Sequence, residues 1–496
     1  MNHFLNISLP SYFMITKSKF INREKELSFL NKLYNNKESD LFILYGRRRI
    51  GKTKLALEFI KNKPSVYYMC TEEGDLINIK QFQKELSLIV DNDFNNLKID
   101  NWNDLFTLFF KYYTKKEKLV IVIDEFPYLI KKNSDIPSIF QKVWDQLLIN
   151  KNIILILTGS SISIMEKKVL NIKSPLYGRR TAQWELEPIN FNHFQLFLPK
   201  YNIKDLCKIY FVFGGIPAYL LKLDPNKSVK DNIVEQIFTK GNFLNQEGNL
   251  LLNYEFSETT NYKLILSAIA QGHQKQKEIV DNTHLDYSLV SKYLFVLKNL
   301  SLIVEEIPIT ENKRFKGRLY KIKDNYLEFW FKYLFLNKSF IESHTALDAY
   351  NFYEKNIDLY YGRKFEELIN DLFLSYKLPF SGKYTDFGRM WGAVPKKQML
   401  DDGASTYEID VVGLDKINKK NILFCEVKWS DNINANNVMS SLTKKAKYVK
   451  WGFEDRVEEY IVVARSFTKK ISSFNDLPVK CFDLEDISKL LFDKII

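Results

Sequence analysis

The chain has 496 residues, 46% hydrophobic and 27% charged, with only 18 Gly and 13 Pro. This excludes collagen-like and disordered classes, and at roughly 150 residues per domain it calls for about three domains. The longest apolar runs, such as Leu119 to Ile123 and Ile153 to Leu157, fall far short of the ~18 residues of a membrane span, so no membrane partner is expected. The net charge of +12, from 72 basic and 60 acidic residues, permits a polyanionic partner without requiring one, because lysine supplies most of it.

The N-terminal segment MNHFLNISLPSYF has no charged start and carries Pro10, so it does not read as a secretory signal. Cys70, Cys207, Cys425 and Cys481 lack paired spacing. They read as free thiols of a reducing compartment, which predicts a cytoplasmic protein.

Residues 20–195 alternate short apolar strands with amphipathic helices, the pattern of a parallel sheet with crossover helices. Four strands are expected, at 41–45, 65–70, 118–124 and 152–160, continuously apolar and therefore suited to burial on both faces. The first leads into Gly46-Arg47-Arg48-Arg49-Ile50-Gly51-Lys52-Thr53, a G-x-x-x-x-G-K-[ST] pattern followed by a helical run. Glycines there let backbone N–H groups wrap phosphates at a helix N-terminus. Lys52 is expected at the β/γ-phosphates and Thr53 on Mg²⁺.

The third strand ends in Asp124 and Glu125. Asp124 would hold Mg²⁺, and Glu125 would activate the attacking water; acidic residues also start helices by capping. The fourth ends in Thr158, Ser160 and Ser161, hydroxyls suited either to the γ-phosphate or to a helix cap. Arginine is scarce, 12 in the chain, so the pair Arg179 and Arg180 stands out. An arginine contact to the γ-phosphate, in cis or in trans, is one role, Arg179 first; a structural carboxylate network is the other.

Residues 196–255 read as helices without a strand. Residues 256–335 carry three helical patterns and then two strands around TENKRFKG, the order of a winged helix-turn-helix. Its third helix would present Tyr287, Ser288, Ser291 and Lys292 to a DNA major groove, and Lys313, Arg314, Lys316 and Arg318 would touch phosphates. The alternative is a module that binds the ATPase core or a protein partner.

Residues 336–496 begin with helices and return to strands at 407–414, 421–429 and 458–465. Asp410 lies on the first, and Glu426 and Lys428 share one face of the second. Two carboxylates brought together on neighbouring strands call for a hard cation such as Mg²⁺. That ion would polarise a phosphodiester, with Lys428 positioning water or stabilising charge. Glu366, with Glu367 as the alternative, is the expected helix-borne carboxylate. Charge-alternating surface strands show the same spacing.

Phe20-Ile21-Asn22-Arg23-Glu24-Lys25-Glu26-Leu27, YGRRRIGKT, VIDEFPYL, LTGSS, LYGRR and FGGIPAYL, in this order over about residues 18–255, resemble the successive motifs of an ATPase family common in archaea and some bacteria. That family belongs to the STAND/AAA+ group of P-loop NTPases. Residues 345–465 resemble its DUF234-type C-terminal region, which is similar to PD-(D/E)XK nucleases. The resemblance implies ATP rather than GTP and places Phe20 and Arg23 near the adenine. The expected fold is α/β: a P-loop NTPase parallel sheet (18–195), a helical lid (196–255), a winged helix-turn-helix (256–335) and an α/β restriction-endonuclease-like domain (336–496). The expected function is an ATPase that binds DNA and couples nucleotide state to a Mg²⁺-dependent nuclease-like domain. The alternative is a nucleotide-driven signalling or scaffold switch whose C-terminal domain binds without cutting, acting on a protein partner or as a homo-oligomer.

Overall fold

The computed structural model describes residues 20–312, 314–375, 378–379, 383–394 and 405–492. Residues 1–19, with the segment read above as no secretory signal, and Lys313 of the basic loop lie outside the described residues. The chain divides into two compact units, one ending at Ile189 and one beginning at Asn190. No helix among the described residues is long and apolar enough to cross a membrane.

The first unit runs α1 (Glu24–Asn35), β1 (Asp40–Tyr45), α2 (Lys52–Ile60), β2 (Ser65–Met69), α3 (Asp75–Ser87), α4 (Trp102–Tyr112), β3 (Leu119–Asp124), α5 (Ile136–Gln146), β4 (Ile153–Gly159) and β5 (Ala182–Glu185). All strand pairs are parallel, in the order β2-β3-β4-β1-β5. β1, β3 and β4 are buried along their whole length, as their unbroken apolar sequence requires. Phe82, Trp102, Phe106 and Phe140 from α3, α4 and α5 interlock over the sheet with ring centroids 5.3 to 6.3 Å apart. β5 was not expected from the sequence. It is a four-residue edge strand with little apolar character, and its pairing to β1 rather than its composition makes it a strand.

Lys118, just before β3, is buried. Its Nζ donates to the Leu33, Asn36 and Glu38 carbonyls at 2.8, 3.0 and 2.7 Å and pairs with Asp40 at 3.2 Å. One cation thus gathers a carbonyl from the last turn of α1 and two from the segment that leads into β1.

The second unit opens with α6 (Ile203–Phe213) and α7 (Phe243–Glu255), and no strand falls between residues 196 and 255. FGGIPAYL stops α6: Gly214 takes φ 61°. Tyr219 is then buried against Tyr326, with centroids 4.9 Å apart, and donates to Glu247 at 3.0 Å. Next come α8 (Thr260–Ala270), α9 (Gln276–Thr283), α10 (Tyr287–Asn299) and an antiparallel hairpin of β6 (Ile303–Glu306) and β7 (Leu319–Ile322). α11 (Asn325–Trp330) and the 29-residue α12 (Ala346–Leu374) follow.

The elements that follow include β8 (Asp386–Ala393), β9 (Thr406–Leu414), β10 (Asn421–Lys428), α13 (Ala435–Ala446), β11 (Val457–Ala464), β12 (Ser473–Phe474) and β13 (Leu477–Phe482). They build a six-stranded mixed sheet in the order β12-β13-β11-β10-β9-β8. β8, β9 and β10 are antiparallel, while β11 runs parallel to β10 and β13. β8 was not expected, since Gly388 and Gly392 break its pattern and its register with β9 shifts between Gly388 and Met390.

Candidate functional sites

In the first unit, β1 runs into the phosphate loop and α2 starts at Lys52. Gly46 adopts φ 145°, and a Cβ there would stand 2.6 Å from the Leu186 carbonyl oxygen; Gly51 adopts φ 100°. Both positions therefore demand glycine. Lys52 Nζ curls over the loop, donating to the Gly46 and Arg47 carbonyls at 2.8 and 2.9 Å. Arg47, Arg48 and Arg49 are half-buried and Ile50 is buried. Arg23 is buried and donates to the Ile50 and Glu187 carbonyls at 3.3 and 2.7 Å, tying its motif to the loop, while Phe20 is half-buried.

Asp124 is fully buried at the end of β3. Its carboxylate accepts from Thr53 Oγ1 at 2.6 Å, Tyr67 OH at 2.8 Å, Thr158 Oγ1 and the Glu125 N–H at 2.9 Å. The hydroxyl and carboxylate expected to hold Mg²⁺ are thus adjacent at a helix N-terminus, an all-oxygen donor set that fits the ion. Glu125, in a left-handed backbone conformation (φ 54°), has its carboxylate held by Ser160 Oγ at 2.6 and 2.7 Å. The hydroxyls of β4 therefore orient the two acidic side chains: Thr158 takes Asp124 and Ser160 takes Glu125, while Ser161 Oγ lies 3.1 Å from Ser163 Oγ. Burial, and then the Asp124 charge, pushes the Tyr67 phenol far above its ordinary range, so it stays a donor.

Arg179 is engaged elsewhere. Its Nη2 pairs with Asp145 of α5 at 2.9 Å, and Nη1 donates to the Pro175 carbonyl. Arg180 donates to the Leu170 carbonyl at 2.9 Å and lies over the Tyr177 ring.

The second site lies in the second unit, on α12, β9 and β10. Carboxylate oxygens of Glu366, Glu408 and Asp410 lie within 4.8 Å of one another. Glu408 and Asp410 share a face of β9 by the two-residue period. Asp410 accepts the Val427 N–H at 2.7 Å. Glu426 is buried: one oxygen accepts from Lys428 and Lys445, both at 2.8 Å, and the other, Oε2, has no hydrogen-bond partner among the described residues. Glu426 therefore stands beside the three-carboxylate group rather than inside it.

Burial, and then the Glu426 charge, raises the Asp410 carboxyl, while burial and then Asp410 raise Glu366. Three half-buried carboxylates brought this close repel one another, and their oxygens form a donor set that fits a hard divalent cation. Glu367 is different. Burial would raise it, but Lys364, Lys321 and Arg363 outweigh burial and pull it down to about 2. It points its charge at those cations, and Glu366 is the carboxylate that α12 gives to the group.

On α10 and the β6–β7 hairpin loop, Ser288, Ser291, Lys292, Arg314 and Lys316 are exposed. Ser291 Oγ donates to the Tyr287 carbonyl at 2.9 Å. Arg318 is partly spent inside the hairpin, on Glu305 at 3.4 Å and on the Phe315 carbonyl.

Residues 20–223 match a family model described as an ATPase domain predominantly from Archaea, and residues 330–440 match one described as archaeal and bacterial proteins of unknown function (DUF234). An uncharacterized protein of Methanocaldococcus jannaschii is 35% identical over 475 residues, covering 95% of this chain and 100% of that protein. The chain belongs to this archaeal ATPase family. An uncharacterized ATP-binding protein of the same organism is 52% identical to this ATPase over 44 residues, 9% of this chain and 75% of that one. Among solved structures, a Walker-type ATPase of Pyrococcus abyssi aligns with TM-score 0.45 and 21% identity over 63% of this chain and 96% of that chain. The Aeropyrum pernix ORC1 protein, solved in complex with DNA, aligns with TM-score 0.31 and 15% identity over 70% and 96%.

Sequence reasoning about the ATPase missed Tyr67, Glu408, Lys445 and Arg389. Glu408 was findable, because Y-E-I-D places it two residues before Asp410. Tyr67 and Lys445 reach their sites only through strand order and helix packing, and Arg389 sits on the strand that was not foreseen.

Proposed function

We propose that this ATPase is a DNA-processing protein of the STAND/AAA+ type, in which nucleotide state governs a Mg²⁺-dependent phosphodiester site in residues 336–496. Lys52 would contact the β/γ-phosphates of ATP, Thr53 and Asp124 would hold Mg²⁺, and Glu125 would take a proton from the attacking water. In the C-terminal site Glu366, Glu408 and Asp410 would hold the cation, with Glu426 adding charge and Lys428 facing the developing negative charge on phosphorus. Mg²⁺ bound there supplies polarisation of the scissile phosphate and a lowered water pKa. The exposed face of α10 and the hairpin loop would contact DNA. The observation that carries this reading is the half-buried group of three carboxylates with the buried, unpartnered Glu426 Oε2 beside it.

The test is incubation of purified protein with linear, circular and single-stranded DNA and Mg²⁺, with and without ATP, beside Lys428→Ala and Lys52→Ala. Cleavage lost in Lys428→Ala supports the nuclease, and its dependence on Lys52 supports ATP control. Intact ATP hydrolysis without cleavage by the wild type refutes the nuclease and leaves the reading of a nucleotide-driven switch.

A further inference from the structure

The carboxylate group is connected to the β6–β7 hairpin through one side chain. Arg389, on β8, places Nε and Nη2 on Glu408 Oε1. Its Nη1 reaches Glu306 at the end of β6, at 3.1 Å. Its own carbonyl accepts the Ile309 N–H at 3.0 Å, so the chain leaving β6 is stitched to β8 at the same residue. Glu306 also pairs with Lys321 of β7 at 2.9 Å, and Lys321 reaches Glu367, the neighbour of Glu366, at 3.5 Å. Both strands of the hairpin therefore reach the group, one through Arg389 to Glu408 and the other through Lys321 to the helix turn that carries Glu366.

We propose that Arg389 is a positioning residue that competes with a divalent cation for Glu408, and that the hairpin sets the outcome through Glu306. This rests on the reading of Glu366, Glu408 and Asp410 as a cation site. Both contacts fall on Oε1, so a cation that takes that oxygen must displace a charge-assisted contact, and one that binds through Oε2 still meets the positive charge of the guanidinium. The planar guanidinium has a second carboxylate already within reach, so it shifts toward Glu306 instead of being left as an unpaired buried charge. A hairpin that keeps Glu306 in place therefore favours loading of the cation site, and a hairpin moved away returns Arg389 wholly to Glu408. This gives residues 256–335 a route to the C-terminal site that needs no rearrangement of the sheet.

The test measures Mn²⁺ affinity of the full chain by electron paramagnetic resonance of free Mn²⁺, with thermal melting to establish folding. In the wild type a site lost in Asp410→Asn is expected. Arg389→Gln should tighten that site and Glu306→Gln should weaken it, each on the order of tenfold, the scale of one hydrogen-bonded charge. A purely structural role would weaken both together. Arg389→Lys keeps a charge on Glu408 but lacks the fork that spans to Glu306, so in that background Glu306→Gln should have no effect. Equal weakening in both single variants, no change in either, or an unaltered Glu306→Gln effect in the lysine background overturns the coupling while the cation site stands. Mn²⁺ binding unchanged by Asp410→Asn overturns the cation site, and the role of Arg389 falls with it.

Discussion

Replacing Tyr67 by Phe removes one oxygen atom and leaves the ring in place. That oxygen is one of four donors to a carboxylate that no solvent reaches, lying 2.8 Å from Asp124 Oδ2. A hydrogen bond to a charged acceptor contributes about 1.5–3 kcal/mol. For a unit of this size each kcal/mol moves the melting temperature by roughly 2–4 °C, so Tyr67→Phe should lower the first unit's transition by roughly 3–12 °C. Differential scanning calorimetry of the full chain, with and without ADP and Mg²⁺, measures it. A double-mutant cycle with Asp124→Asn separates the contact from general packing: if the phenol acts through the carboxylate, the double variant loses less than the sum of the two singles. A transition within about 1 °C of the wild type, or strict additivity in the cycle, would refute the assignment of Tyr67 to the nucleotide site.

Gly46→Ala drives a Cβ to 2.6 Å from a backbone carbonyl at φ 145°. Nucleotide binding should be lost in calorimetric titration, and retention of wild-type affinity would contradict the loop geometry. Lys118→Met strips the donor from three carbonyls and leaves Asp40 buried and uncompensated. The expected loss is about 3–5 kcal/mol in urea unfolding, and a loss under about 1 kcal/mol would show that α1 is held by other means. At the hairpin, Arg318 is partly paired to Glu305. Arg314→Ala with Lys316→Ala should lower the salt slope of DNA binding by about 2, at roughly 0.9 per phosphate contact. Adding Arg318→Ala should change it little, and a full further unit from Arg318 would contradict its pairing.

The nucleotide site was legible because its chemistry is contiguous: one loop carries the glycines, Lys52 and Thr53, and one strand end carries Asp124 and Glu125. Even so, the partners of those acids came from elsewhere. Thr158 and Ser160 stand where they were expected, at the end of β4, but they act on the carboxylates. The C-terminal site was harder, since its carboxylates come from α12 and β9 and its lysines from β10 and α13. E-x-K on β10 gave Lys428 its place beside Glu426. The choice between Glu366 and Glu367 turned on which face of α12 carries Lys364 and meets Lys321 of β7, a fact of packing that helical spacing alone does not decide. The short strands β5 and β8 escaped notice because hydrogen-bonded neighbours, rather than their own residues, make them strands.

The long helix α12 bears on how this protein can be taken apart. It spans about 44 Å. Along it Tyr360 donates to the Phe211 carbonyl at 2.9 Å, Lys364 pairs with Glu328 at 3.1 Å, and Phe365 lies 5.0 Å from Trp429. The helices of residues 196–255, the helix–hairpin segment of residues 256–335 and the C-terminal six-stranded sheet are therefore all fastened to one rod. A fragment ending at residue 255 or 335 would bare the apolar surfaces that α12 covers and should aggregate on expression. Dissection of this chain by truncation belongs at residues 189–190, with everything beyond kept in one piece.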